Sequence, residues 1–391
     1  MSDLSQRITK GTTPSKTNIK KDDVNFIKIE NINKNNNLNF DNIQKISFEC
    51  HEKELSRSIL SEDDLLFSIA GALGRTLIVS KEMLPANTNQ ALSIIRLNDK
   101  SNVKFVNYLL NLKGIRKYIY QNVTVGAQPN LSLEQVNKIK LKFPSDIEQK
   151  KIVSFLENID RKISFMEKKH TLYQSIKKYF LENLFPHDSK IPYLRLPMFS
   201  DEFKRFTLNE LFISKKGKGL SKDKIQEDGE NKCILYGELY TTYSQIISTI
   251  KSRTNIFEGV LSNKMDILMP CSTTTTGKDL ATASALLKEN VLLGGDITIL
   301  RKKKDILDEI YFAYYLSFCL NKTLTSLAQG STIIHLYWNH IKNIEVLIPS
   351  KEEQIQIAKI IKLLDDKIEQ SSLQINNLKE YKKGLLQKMF I

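Results

Sequence analysis

The sequence has little cysteine or histidine, and neither residue type is arranged for metal binding. The four cysteines contain no C-x-x-C pair, and none has a histidine at ligand spacing. Structural zinc sites need such spacings, so no metal site is expected. His170 falls on an apolar helix seam, where a packing role is predicted instead. The scattered cysteines are Cys50, Cys233, Cys271 and Cys319.

Long apolar runs are also missing. No stretch approaches the roughly 20 apolar residues that a transmembrane helix needs, and the polar first residues do not resemble a signal peptide. We therefore expect a cytoplasmic protein with no membrane partner.

Motifs of DNA-modifying enzymes are absent as well. A DNA methyltransferase needs a glycine-rich cofactor turn and a polar-Pro-Pro-aromatic loop, and this chain has no Pro-Pro dipeptide. The segment 271–278 (CSTTTTGK) resembles a phosphate-binding loop, but Ser272 stands where glycine is required and Asp279 where serine or threonine is required. Asp146 and Glu148 open a helix, where the helix dipole favours acids. No catalytic residue is predicted.

The sequence does contain an excess of positive charge. Its 58 Lys and Arg residues outnumber 44 Asp and Glu residues, which gives a formal net charge of +14. This balance favours a polyanionic partner, nucleic acid before a membrane surface, although a generally basic solvated surface would look the same. With 391 residues, 41% of them hydrophobic, the chain is long enough for about two domains with cores of their own.

The chain also contains an internal repeat. Segments 143–185 and 348–390 align without a gap at a separation of 205 positions and share 12 of 43 residues. Each has Pro-Ser at its second and third positions, and the pairs Ser145/Glu148 and Ser350/Glu353 predict capping boxes at helix starts. Apolar residues then recur at steps of four and three, which predicts a coiled-coil seam on a helix of roughly 57 Å in the first copy. We expect the two copies to pack on each other about a pseudo-twofold axis; an ordinary pair of core helices is the alternative.

Each helix follows a strand-rich globule, and the two globules repeat one plan. Short β-type runs lie at 27–29, 64–69, 77–79 and 91–97, and 105–120 has helical spacing. In the second half, KG at 216 matches KG at 10, DILM at 266 matches DLLF at 64, ITILR at 297 matches LSIIR at 92, and YFAYYL at 311 matches FVNYLL at 105. The predicted fold class is α+β. Because the two helix copies are more alike in sequence than the two globules, we expect the helices to have the same function and the globules to have diverged in function.

The repeat sets the predicted domain boundaries. Residues 203–214 precede the second Lys-Gly pair and have no full counterpart before the first, so the first strand of the first globule is expected to be short or completed from elsewhere. The predicted parts are a first globule at 1–142, a first helix at 143–190, a connector at 191–197, a second globule at 198–347 and a second helix at 348–391.

This order of globule, helix, globule and helix resembles the specificity subunit of type I restriction-modification systems. The motifs that carry the resemblance are KGTTPS at 10–15, GAQPNL at 126–131, FPSxxEQxxI at 143–152, GST at 330–332 and IPSxxEQxxI at 348–357. The resemblance covers the full chain and implies two pseudo-twofold-related target-recognition domains separated by a pair of long antiparallel coiled-coil helices. Each domain would read one half of a split target in double-stranded DNA.

The resemblance also implies partners. The helices would dock methyltransferase (modification) subunits, and restriction/translocase subunits would join the assembly. S-adenosylmethionine, ATP and Mg²⁺ would then belong to the partner subunits, and this chain would hold no cofactor and be non-catalytic. Two other classes stay open from the residues alone: a nucleic-acid-modifying enzyme that works by itself, and an interaction scaffold whose basic charge is unrelated to DNA.

Candidate contacts follow from residue chemistry and from the motifs. The predicted phosphate contacts are Lys10, Lys16, Lys216, Lys218 and Lys222. The predicted contacts to bases or phosphates are Arg75, Gln128, Asn130, Lys278, Ser331 and Thr332. The predicted partner-binding residues, taken as exposed at the helix starts, are Glu148, Gln149, Glu353 and Gln354, although capping alone would explain the acids.

Overall fold

The computed structural model describes residues 1–15, 24–33, 35–123, 129–187 and 190–390. They form two compact units. The first consists of Met1–Met166 with Gln374–Ile391, and the second of Glu167–Leu373. Each unit therefore contains one globule, the beginning of one long helix and the end of the other.

The first unit is built on an antiparallel sheet in the order β1-β7-β4-β5, beside a small sheet in the order β3-β2-β6. Phe67 and Ile95 of the larger sheet pack against Val106 and Leu110 of the following helix, which explains the apolar runs in this part of the sequence. The strands are β1 (Ser5–Lys10), β2 (Val24–Ile27), β3 (Gln44–Ile46), β4 (Leu65–Ser68), β5 (Thr76–Ile78), β6 (Ala86–Thr88) and β7 (Leu92–Leu97), and the helices are α1 (Val103–Leu110), α2 (Lys113–Asn122), α3 (Leu133–Asn137) and α4 (Asp146–Asn183).

The second unit repeats this plan with additional short strands. Its main sheet has the order β11-β16-β14-β18-β9, and smaller sheets have the orders β12-β10-β17-β13, β15-β19 and β20-β8. The strands are β8 (Lys204–Thr207), β9 (Phe212–Lys216), β10 (Asn231–Ile234), β11 (Ile246–Ile247), β12 (Ser252–Thr254), β13 (Val260–Leu261), β14 (Asp266–Pro270), β15 (Ser272–Thr273), β16 (Ser284–Leu286), β17 (Leu292–Leu293), β18 (Ile297–Lys302), β19 (Ile334–His335) and β20 (Glu345–Ile348). The helices are α5 (Leu208–Leu211), α6 (Glu238–Thr241), α7 (Gly277–Leu280), α8 (Glu309–Tyr314), α9 (Asn321–Ser326), α10 (Trp338–Ile341) and α11 (Lys351–Met389).

The duplication extends to individual side chains. Strands β1, β7 and β4 correspond to β9, β18 and β14, and both sets pair in the same antiparallel order. In the first unit Arg96 donates to the carboxylate of Asp64, which is 1% exposed, at 2.7 Å. At the matching positions Arg301 donates to Asp266 at 2.9 Å. The predicted α+β fold and its internal repeat are confirmed.

The two long helices run antiparallel within each unit. In the first unit, Ile152 and Leu156 of α4 lie in one apolar cluster with Leu386 and Met389 of α11. In the second unit the roles are exchanged, because the end of α4 packs with the beginning of α11 there. Ser371 interrupts the apolar seam in the sequence, and its hydroxyl hydrogen-bonds His170 Nδ1 at 2.8 Å. The seam prediction is confirmed, and His170 lies half-buried on it with a hydrogen bond to the other helix.

Two local expectations were wrong, and one is confirmed with a break. The run at 27–29 is not a strand, because β2 ends at Ile27 and the chain turns into a 3₁₀ helix held by the Asn31 side chain. The helical spacing at 105–120 is confirmed, but it forms the two helices α1 and α2, with Leu112 extended between them. The capping box of Ser350 and Glu353 does not form: the Ser350 hydroxyl is buried without a partner, and Glu353 binds Arg195.

Candidate nucleic-acid interface

A cleft of about 620 Å³ opens at one end of the main sheet in the first unit. It is lined by Lys10 at the end of β1, by Gln90, and by Asn130, which forms a β-bridge with Ala70. Lys10, Gln90 and Asn130 are all exposed. The cleft thus combines a cation with two amides that can both donate and accept hydrogen bonds, which suits contacts to phosphates and base edges.

The Lys-Gly pair at 10–11 shapes this cleft. The Gly11 amide donates to the Leu92 carbonyl at 3.1 Å, and a Cβ on Gly11 would lie 2.2 Å from the Asn89 carbonyl oxygen. Only glycine allows β1 to approach the loop before β7 this closely. Lys10 is therefore placed beside Gln90, which accepts a hydrogen bond from Thr13.

The second unit builds the same backbone arrangement around a different set of side chains. The Gly217 amide donates to the Ile297 carbonyl at 2.9 Å, and a Cβ on Gly217 would lie 2.0 Å from the Gly294 carbonyl oxygen. Ser272 pairs with His335 where Ala70 pairs with Asn130 in the first unit. The two sites share a scaffold and differ in the chemistry that the scaffold presents.

Lys216 lies at the centre of the second site. Its ammonium is 3.2 Å from Asp296 Oδ1 and 5.5 Å from the centre of the Tyr337 ring. The hydrogen bond with Asp296 raises the pKa of Lys216 above its ordinary value, so the lysine is a cation. Tyr337 stacks on His335 with ring centres 5.2 Å apart. A cation beside stacked aromatic rings is a combination that binds nucleic acid.

Two exposed loops border the second site. Ser331 and Thr332 occupy the tip of a turn that is closed by hydrogen bonds between Gln329 and His335. Gly330 starts the turn at φ 122°, a backbone conformation that favours glycine. The Thr run leads into α7, where Asp279 accepts hydrogen bonds from the Thr275 and Thr276 hydroxyls and Lys278 is exposed.

A repeated three-residue contact fastens each globule to both long helices. In the first unit the Tyr108 hydroxyl donates to Asp160 of α4 at 2.8 Å, and Lys382 of α11 donates to the same carboxylate at 2.5 Å. In the second unit Tyr314 and Lys177 donate to Asp365 at 2.6 and 2.5 Å. Burial and the neighbouring carboxylates raise the pKa of both tyrosines, which therefore remain hydroxyl donors.

The chain matches known proteins over both halves. A family model described as "Type I restriction modification DNA specificity domain" matches residues 1–173 and 200–380. The chain belongs to this family.

Three similar proteins agree with that assignment. The type I restriction enzyme MjaVIII specificity subunit of Methanocaldococcus jannaschii is 30% identical over 131 residues, 34% of this chain and 29% of that protein. The MjaX specificity subunit of the same organism is 23% identical over 86% of this chain and 80% of its own length. A crystal structure of a type I restriction-modification S subunit from M. genitalium has the same fold, with a TM-score of 0.64 at 17% identity, covering 100% of this chain and 94% of that one. This chain is a DNA sequence-specificity subunit of a type I restriction-modification system.

The structure brings some predicted residues of this specificity subunit together and not others. Lys10 and Asn130 share the first cleft. Lys216 lies in the second site, and Ser331 and Thr332 are exposed in the turn that leads into β19. Lys218, Lys222 and Lys278 are exposed. Arg75 donates to the Ile32 carbonyl at 2.6 Å, so its guanidinium supports a loop. Lys16 and Gln128 lie outside the described residues. DNA contact by any of them stays a prediction.

The helix-start residues differ from the expectation. Glu148 is exposed, but Gln149, Glu353 and Gln354 are 5%, 1% and 0% exposed, so the assumption that all four face outward was wrong. Gln149 donates to the Pro144 carbonyl, and Gln354 to the Pro349 carbonyl, which fixes the turn before each helix. Glu353 receives a bidentate ion pair from Arg195 of the connector. Gln149, Glu353 and Gln354 thus stabilise the chain itself. Partner binding by the four residues stays a prediction.

Sequence reasoning missed Gln90, Asp296, His335 and Tyr337. Gln90 lies beside Lys10, and Asp296 and Tyr337 lie beside Lys216, each far in sequence from the lysine that it approaches. His335 stacks on Tyr337. The available signal was the repeat itself. Positions beside the shared Lys-Gly and LSIIR/ITILR motifs differ between the two halves, and Asp296 is the residue just before ITILR.

Proposed function

We propose that each unit reads one half of a bipartite DNA target at the site beside its Lys-Gly pair and that the two long helices set the distance between the half-sites. The main support is that the two units share the backbone contact of the Lys-Gly pair and present different side chains around it. Lys10, Gln90 and Asn130 occur in the first cleft, and Lys216, Asp296, Ser272 and His335 occur in the second site. Two different readers on one repeated scaffold suit an asymmetric, two-part sequence.

The charge of the chain supports DNA as the partner. The net charge of +14 favours association with a polyanion, and lysine contacts to phosphates make such binding fall steeply with salt. Lys10 is exposed and has no ion-pair partner among the described residues. It is available for a phosphate contact.

The helices are proposed as the platform for the methyltransferase subunits, with restriction/translocase subunits joining them. S-adenosylmethionine, ATP and Mg²⁺ are assigned to those partners, and this chain is assigned no catalytic step. Among the described residues, no helix has the length and apolarity to span a membrane. We place the assembly in the cytoplasm, where its DNA lies.

Lengthening both helices tests whether they set the distance between the half-sites. Seven residues inserted after Met166 in α4 and after Leu373 in α11 add two helical turns, about 10.5 Å, and keep the seam in phase. We expect the gap between the half-sites to grow by roughly three base pairs, because base pairs are about 3.4 Å apart. Methylome mapping of a host that carries this chain with its partner subunits gives both half-sites and the gap.

A matched insertion controls for the added length. The same seven residues between Glu227 and Asp228, both exposed, leave the helices unchanged and should leave the gap unchanged. If the lengthened helices keep both half-sites at the original gap, the helices do not set the distance between the half-sites.

A further inference from the structure

Asp296 has an unusual backbone for a non-glycine residue. It lies immediately before β18 with φ of 57°, in the left-handed region. This region costs most L-residues about 1–2 kcal/mol, and Asn and Asp tolerate it better than others. The Asp296 carbonyl accepts the Cys271 amide at 2.7 Å, which holds the conformation. Backbone outliers of this kind cluster at functional sites.

The Asp296 carboxylate is oriented but remains accessible. The Ser272 hydroxyl donates to Oδ2 at 3.1 Å, and Lys216 Nζ lies 3.2 Å from Oδ1. The Asp296 side chain is still 39% exposed, and that of Lys216 is 59% exposed. Because a carboxylate offers about four acceptor positions, two donors leave capacity for a further hydrogen bond.

The first unit has no carboxylate at this place. The residue before LSIIR is Ala91, where the residue before ITILR is Asp296, and Ala70 stands where Ser272 does. The acceptor and the donor that orients it therefore belong to the second unit alone. The two sites share the backbone contact of the Lys-Gly pair, and this pair of side chains is one of the differences between them.

We propose that Asp296 determines sequence specificity in the second unit. Its carboxylate accepts a hydrogen bond from the exocyclic amino group of a cytosine or adenine, while Lys216 pairs with a neighbouring phosphate. Carboxylates accept hydrogen bonds from cytosine N4 in the major groove, and they repel the O6 and N7 acceptors of guanine. The inference rests on the proposed function, since it requires that the second unit reads a half-site.

Selection from a randomised duplex DNA library tests the assignment. The full chain in its complex with the methyltransferase partners is compared with Asp296→Asn and Asp296→Gly, whose residues both tolerate the left-handed backbone. We expect Asp296→Gly, which removes the acceptor, to lose the preference for one base pair in one half-site by about 10-fold and to keep the other half-site. Asp296→Asn keeps an uncharged oxygen acceptor and should lose less of that preference. Asp305→Asn removes an equal charge from an exposed residue of the same unit and should keep every preference. Circular dichroism checks that all variants are folded.

Base analogues identify the amino group. At the position that the variants relax, adenine is replaced by unsubstituted purine, or cytosine by pyrimidin-2-one. The wild type should bind the analogue about 10-fold more weakly, and Asp296→Gly should not distinguish it from the natural base. The inference is wrong if the wild type ignores the missing amino group, or if the Asp296 variants weaken binding to all sequences alike. If the wild type selects no bipartite sequence, the proposed function itself fails.

Discussion

At the scale of residues, two buried ion pairs occupy matching places in the two units. Asp64 and Asp266 are 1% and 2% exposed, and each receives an arginine from the adjacent strand. Each carboxylate also accepts a backbone amide, from Ser61 or Asn263. The motifs DLLF/LSIIR and DILM/ITILR predicted matching strands, but they did not predict that Asp and Arg would meet. That contact depends on strand register, which the local sequence does not specify.

Removing one of these arginines should be costly. Arg96→Met leaves the buried Asp64 carboxylate without its cation, and we expect the free energy of unfolding to fall by about 3–5 kcal/mol. Arg205→Met is the matched control, because the Arg205–Glu345 pair is more than half exposed and should be worth at most about 1 kcal/mol. Urea denaturation followed by circular dichroism measures both. Equal losses in the two variants would contradict the role assigned to burial.

Gly11 allows a second residue-scale prediction. Gly11→Ala places a methyl group 2.2 Å from two backbone carbonyl oxygens, so β1 must move away from the loop before β7. We expect a loss of more than about 1 kcal/mol of stability together with weaker DNA binding, because Lys10 moves with the strand. Gly114→Ala is the control: nothing lies within 4 Å of its added Cβ, and alanine favours helix α2. Thermal unfolding and filter binding report the two effects.

At the scale of elements, the Tyr–Asp–Lys contacts explain why the helix copies are so similar. Each helix supplies an aspartate to the contact in one unit and a lysine to the contact in the other. Both helices therefore need an aspartate and a lysine at the same repeat positions, which are Asp160/Asp365 and Lys177/Lys382. These identities were visible in the sequence, but their pairing was not. It follows from the antiparallel arrangement, which places Asp160 beside Lys382.

Exchanging the charges of one such pair tests the contact. Asp160→Lys or Lys382→Asp alone sets like charges together beside Tyr108, and each should lower the free energy of unfolding by about 1–3 kcal/mol. The double variant restores an opposite pair and should recover most of the loss. Since Tyr108 then lacks its acceptor at position 160, recovery should be incomplete by about 1 kcal/mol. Additive losses in the double variant would show that the two side chains are not coupled.

The element scale also shows where local signals fail. The capping box predicted at Ser350 and Glu353 does not form, because Glu353 binds Arg195 instead, 158 positions earlier in the chain. The helical run at 105–120 breaks after Leu110, where the Asn111 side chain donates to Thr76, 35 positions earlier in the chain. Periodicity identified both helices correctly, whereas their ends depend on partners that are remote in sequence.

At the scale of the whole molecule, the repeat makes each half complementary to itself. Residues 1–190 contain Tyr108, Asp160 and Lys177, so two copies of this half hold all members of both three-residue contacts. The apolar residues match too. Leu181, Leu184 and Phe185 stand at the repeat positions of Leu386, Met389 and Phe390, which pack in the first unit with the beginning of α4.

We therefore expect residues 1–190 alone to form a dimer that recognises a symmetric DNA target. Sedimentation equilibrium should give twice the monomer mass at micromolar concentration, and library selection should return the first half-site as an inverted repeat. In this half-chain Asp160→Lys places lysine opposite Lys177 of the other copy and should weaken the dimer at least 10-fold, while adding Lys177→Asp should restore it. A folded wild-type half-chain that stays monomeric would show that the two helix copies are not interchangeable. The apolar side chains along the two helices would then pack only with the other copy and not with an identical one.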